Sequence, residues 1–319
     1  MATASFYLTV AATLLAAGSF AAHVAHLTLL AGGRRLATAL VPAPRPASAG
    51  VVGGSFAAEL EGASAAAGQA SPRTIVGPFA IGLLWAALAC LVAALVARGI
   101  VVGRGPWGNF YECSVAFAAG VLGGYALLER RLPVRALGLV PTGIALCLLL
   151  YAWTLPREIE PLVPALQNPP LLTVHVGLAM ISYGIFAMSF AAGIGHLVQA
   201  RRLADGSIVE RFAWLPSRDV LDQLAYRSVI VGFPIFAAMI VLGSWWASIA
   251  WSRWWGWDPK ETAALVTWLV YAVYLHLRNQ RGWNGRPAAL VLVVGFVMVL
   301  VTYSGNLWFP GLHAYSGLG

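Results

Sequence analysis

Charge is what this sequence has least of. Of its 319 residues 10% are Asp, Glu, Lys or Arg and 60% are apolar, whereas a soluble domain carries about a quarter charged. That shortage excludes a solvated globular enzyme and argues against a disordered or nucleic-acid-binding chain. Lysine is almost missing, with Lys260 alone beside nineteen arginines. Cysteine is scarce too. Cys90, Cys113 and Cys147 lie far apart in apolar surroundings, and no CxxC or CxxCH occurs. A thiol redox motif, a zinc knuckle and a covalent c-type haem attachment site are therefore excluded. An internal repeat is also lacking, which counts against the inverted-repeat plan of secondary transporters.

Long apolar runs are abundant. A spanning helix needs about 20 mostly apolar residues, because each residue rises about 1.5 Å through a core about 30 Å thick. By that ruler eight spans are expected, at 5–31, 77–97, 113–128, 136–154, 173–199, 227–247, 262–278 and 287–304. The third and seventh are short. The first lacks a basic leader and is too long for a signal peptide, so it reads as a span. The expected fold is an all-α polytopic membrane bundle of about eight transmembrane helices. It divides into a first span at 1–31, a flexible Ala/Gly/Pro-rich loop at 32–76 and a main membrane domain at 77–319.

The arginines then supply an orientation. The loops at 32–76, 129–135, 200–227 and 278–286 hold fifteen of the twenty basic residues, and the opposite ends hold Arg98, Arg104, Arg157, Arg253 and Lys260. Positive charge gathers on the cytoplasmic side, which puts the 32–76 loop inside and both termini outside. The net charge of +8 is on this reading a topology signal rather than the mark of an anionic macromolecular partner.

One outward loop, 245–261, is unusual. It runs from Trp245-Trp246 through Trp251-Ser252-Arg253-Trp254-Trp255-Gly256-Trp257 to Asp258-Pro259-Lys260-Glu261, six tryptophans within thirteen residues. An interfacial aromatic belt explains one or two per helix end. Six flat apolar faces interleaved with polar handles suit a large planar amphipathic ligand better. Asp258 and Pro259 have the residue types of a helix cap and first helical position.

Histidines sharpen the chemistry. His175 and His313 fall on the same outer side as the tryptophan loop, and an imidazole on each face of a macrocycle makes a six-coordinate haem. His276 is eighteen residues beyond Asp258, about 27 Å along a helix, so it belongs to a second, inner site. His23 and His26, three apart on one helix face at similar depth, are candidate partners for it. Arg253 and Lys260 are candidate counter-charges for haem propionates, with lipid headgroups as their other use.

The chain resembles the CcsA/ResC family of cytochrome c biogenesis proteins, tryptophan-rich haem handlers. The resemblance rests on Trp251 to Glu261, Tyr271 to His276, Gly311 to Tyr315, Asn109-Phe110-Tyr111-Glu112, and Leu166-Gln167 followed by Thr173-Val174-His175. Ser252 departs from the family's glycine, and Ala314 from its serine. The resemblance implies that non-covalent haem b is carried through the membrane with a CcsB/ResB-type partner and presented outside to apocytochrome c. The setting it implies is the inner (plasma) membrane, in a holocytochrome c synthase complex. Trp251, Trp254, Trp255, Trp257 and Asp258 would then hold haem, with His175 and His313 as outer ligands and His276 as an inner one whose second ligand the partner can supply. A bis-histidine b-type cytochrome electron carrier is the alternative.

Overall fold

Each expected apolar run forms a helix. The computed structural model describes residues 2–40, 75–132, 134–159, 169–202, 208–212 and 214–313. In chain order the described helices are α1 (Ala2–Leu40), α2 (Val76–Val102), α3 (Phe110–Arg131), α4 (Leu139–Trp153), α5 (Pro169–Gln199), α6 (Arg218–Trp251), α7 (Pro259–Arg281) and α8 (Gly285–Trp308). Seven are long and apolar enough to cross a membrane, and the chain is a multi-pass membrane protein. The exception is α7, whose ends carry Lys260, Glu261, Arg278 and Arg281. It nevertheless packs against α6 and α8 as part of the bundle.

Two local features differ from expectation. Helix α1 continues past residue 31, where the loop was expected to begin, as far as Leu40. Its extension contains Leu36, Ala37, Ala39 and Leu40, strong helix formers. The rest of the expected loop, 41–74, lies outside the described residues. After α5, β1 (Ala200–Arg202) and β2 (Ile208–Glu210) pair as a small antiparallel ribbon. Gln199 secures its base, donating to the Phe212 carbonyl at 2.8 Å and accepting the Phe212 N–H at 2.9 Å.

The bundle has two halves that meet at α3 and α5. Helices α1, α2 and α4 gather around one side of α3, and α6 and α8 pack on α5. At the seam a side chain on Gly184 would run into the Gly120 carbonyl, and one on Gly120 would come within 2.6 Å of the Met180 carbonyl. Lipid offers no hydrophobic drive for helices to associate, so close backbone approach between small residues supplies the packing. Phe117, Tyr183, Phe186, Phe236 and Tyr271 fill the centre around this contact. Through it α5 is held rigidly, and α5 carries His175.

Candidate functional site

The tryptophan loop is built by capping at both ends. Helix α6 ends at Ser252, which takes the left-handed φ of 56°. Glycine adopts that conformation without cost, so the family's glycine is explained and serine carries some strain. Trp257 is also left-handed, at φ 54°, and a bulky residue there marks a tightly determined turn. The turn is held by Glu261, whose carboxylate accepts the N–H groups of Gly256 at 2.8 Å and Asp258 at 3.2 Å. Asp258 caps α7 with Pro259 next, completing a capping box, as its sequence position predicts.

Beside this loop lies an open pocket of about 1100 Å³, solvent at its mouth included. His175 from α5, Trp246 and Trp251 from α6, Lys260 from α7, His313 from the tail and Trp107 from the α2–α3 loop all line it. His175 and His313, 138 residues apart by their numbers, are thus brought to one cavity. Trp246 connects them. Its ring, 2% exposed, stacks on His175 at 6.4 Å and 14° and lies 5.8 Å from His313. Trp251 meets His313 edge-on at 5.1 Å.

Both imidazoles are held by Nδ1. His175 Nδ1 is 2.8 Å from the Met239 carbonyl, and His313 Nδ1 is 2.7 Å from Asp258 Oδ2. An acceptor at Nδ1 selects the tautomer with Nδ1–H, which leaves the lone pair on Nε2. Metal-binding histidines are oriented by this kind of second hydrogen bond. Burial lowers the His313 pKa, and the Asp258 contact only partly opposes it, so the ring is neutral near pH 7. Burial alone would raise the Asp258 pKa, but its bonds from His313, Leu312 and Lys260 bring it below the ordinary value, so it is ionised. Asp258 itself does not line the cavity; it positions His313 and the tail.

The other expected residues divide. Trp255 lines the pocket with Trp251, whereas Trp254 and Trp257 are 62% and 69% exposed and are not part of its lining. Arg253 is exposed and folds over Gly256 rather than into the cavity. His276 is exposed on α7. His23 is buried with Nδ1 donating to the Ser19 carbonyl at 2.9 Å and Nε2 at 3.4 Å from the Tyr125 hydroxyl, so it is committed to α1 and α3 packing. His26 is buried against Gly77 of α2. The expected pairing of either with His276 is not assembled, because both turn into helix contacts of the other half. Leu166, Gln167, Ala314 and Tyr315 lie outside the described residues.

Sequence reasoning missed two parts of the site. Met239, Gly243 and Trp246 follow one face of α6 at spacings of four and three, and that face receives His175. A methyl on Gly243 would come within 2.5 Å of His175 Cε1. Gly243→Ala should therefore displace the imidazole and cost about 1–3 kcal/mol, read as a lower unfolding temperature in detergent; unchanged stability would contradict this packing. The second part is the α2–α3 loop. Glu112 of α3 is buried and accepts Arg98 Nε at 2.8 Å, Arg104 Nη1 at 3.2 Å and the Gly108 N–H at 2.7 Å. Arg98 also donates to the Arg157 carbonyl at 2.8 Å. Two arginines that read as loop charges are thus internal struts holding the loop that carries Trp107.

A multi-pass helical protein with a pocket framed by two oriented histidines and several tryptophans is the class that fold and site define. Comparison with known proteins agrees with it. The profile of the family described as "Cytochrome C assembly protein" matches residues 107–313, and the chain belongs to that family. Cytochrome c biogenesis protein CcsA of Parasynechococcus marenigrum is 38% identical over 254 residues, 70% of this chain and 82% of that protein. CcsA of Synechococcus elongatus is 35% identical over 284 residues, 74% and 87% of the two, and that of Prochlorococcus marinus subsp. pastoris is 34% identical over 246, 69% and 78%. The general role of the chain is cytochrome c biogenesis.

Proposed function

We propose that the chain holds non-covalent haem b in the tryptophan-loop pocket, between His175 Nε2 and His313 Nε2, and presents it to apocytochrome c. The observation that carries this reading is the pair of imidazoles on one cavity, each oriented through Nδ1, with Trp246 against both. Trp251 and Trp255 would cover the ring and exclude water. The pocket would open on the outer side of the inner (plasma) membrane, with both termini on that side, as the arginine distribution indicates.

Apocytochrome brings its own CxxCH segment. Each thiol adds across a vinyl double bond: sulfur bonds one carbon, the thiol hydrogen ends on the other, and no net oxidation or reduction results. The incoming histidine replaces one protein ligand on iron. The chain contributes orientation and effective concentration within a holocytochrome c synthase complex that includes a CcsB/ResB-type partner. Exposed His276 suits a second, inner haem position completed from that partner, and the burial of His23 and His26 supports leaving them out.

The test uses haem-loaded chain, purified with its partner, mixed under reducing conditions with apocytochrome c. The expected result is loss of haem from the membrane fraction and thioether-linked haem on the cytochrome. Haem that stays with the membrane protein, while still cycling between oxidation states, would overturn presentation and favour the electron-carrier reading.

A further inference from the structure

Several groups at one side of the pocket are hydrogen-bond donors that have no acceptor among the described residues. Lys260 is the only lysine of the chain and lines the cavity. Among the described residues its ammonium has no ion pair; its neighbour is the Phe110 ring, 5.9 Å away. The nearby acidic groups are otherwise engaged. Glu261 accepts the N–H groups of Gly256 and Asp258, and Asp258 accepts from Leu312, His313 and the backbone N–H of Lys260. Trp107 and Trp255 line the same cavity, and their indole N–H groups are buried with no acceptor among the described residues.

Unpaired donors of this kind are costly. A buried polar group without a partner loses its hydration for nothing, and a cation away from water loses more. Such a set becomes favourable once an anion with several acceptor atoms fills the space. The sequence brings the donors together from two places. Trp107 precedes α3 in the loop braced by Glu112, and Trp255 and Lys260 flank the capping turn of α7. Phe110, which Lys260 overlies, opens α3.

Resting on the haem reading above, we propose that Lys260, with the indole N–H groups of Trp107 and Trp255, forms a carboxylate subsite that receives the propionates of haem. The subsite fixes the ring's rotation about the His175–His313 axis. The propionate edge is drawn toward the start of α3 and α7, and the vinyl edge is left for the incoming thiols. Arg253, exposed and outside the cavity, takes no part.

The test needs no iron and so is independent of histidine ligation. Metal-free protoporphyrin IX and its dimethyl ester are titrated into the full-length chain in detergent, with tryptophan fluorescence quenching as the readout. Comparing the diacid/diester affinity ratio between variants cancels the partition of each porphyrin into micelles. Relative to the starting protein, Lys260→Met should lower that ratio roughly tenfold, as expected for losing one hydrogen bond to a charged group. Lys260→Arg should retain the preference. Trp255→Phe and Trp107→Phe, which keep an aromatic face and remove only the N–H, should each reduce it severalfold. A ratio unchanged in Lys260→Met overturns the subsite even if ferric haem still binds through the histidines. Saturable binding of neither porphyrin to the starting protein overturns the haem pocket itself, and the subsite with it.

Discussion

His175→Ala should remove nearly all haem that copurifies with the protein. His175 sits on α5, which the Gly120–Gly184 contact clamps to α3, and its Nδ1 is held by the Met239 carbonyl. The Trp246 stack and the packing of Gly243 hold the same ring. Loss of the hydrogen-bond partner behind a metal ligand typically costs 10–100-fold in metal affinity, and loss of the ligand itself should cost more. Asp258→Asn supplies that milder comparison. It keeps the size of the side chain but weakens the grip on His313, so affinity should fall within about 10–100-fold. Haem content per protein, from absorbance after extraction, gives both results. An unchanged content in His175→Ala would remove it from the ligand set.

The second large effect is on stability. Glu112→Ala should destabilise the fold by about 3–5 kcal/mol, the usual cost of leaving buried charge without its partner. Arg98 and Arg104 are both largely buried, and removing the carboxylate leaves two guanidinium groups facing one another. The loop from Gly103 to Asn109 would lose the Gly108 anchor, and Trp107 would leave the pocket wall. Denaturant or thermal unfolding in detergent measures the change. Glu112→Gln, which keeps the shape and part of the hydrogen bonding, should lose less. A Glu112→Ala protein within about 0.5 kcal/mol of the starting protein would show that the arginines find other partners.

How much of this could be read in advance follows from what each signal encodes. Helix number came from apolar run length, which depends only on bilayer thickness. The start of α7 was readable because Asp258-Pro259 is a local signal, and the capping box formed where expected. Faces were another matter. In a membrane bundle the lipid-facing and core-facing sides are both apolar, so periodicity says little about which residues turn inward. Trp246 and Trp254 look alike in the sequence; one is the buried centre of the site and the other is mostly exposed. The difference is that Trp246 continues a helical face with Met239 and Gly243, whereas Trp254 sits in a turn. Arg98 and Arg104 were misread as topology charges because their partner, Glu112, lies across a loop. That His175 and His313 serve one site is expected from their shared side of the membrane and from the family resemblance. Their common contact with Trp246 needed the packing of α5, α6 and the tail.

The most direct test of the central claim is the electron paramagnetic resonance spectrum of ferric haem bound to the purified chain. Two oriented imidazoles predict a low-spin, six-coordinate bis-histidine signal. Reconstituted with added haem, the His175→Ala and His313→Ala proteins should each lose it in favour of a high-spin signal, and added imidazole should restore it. A bis-histidine signal that persists in both variants would contradict the account, because the ligands would then have to lie elsewhere in the chain.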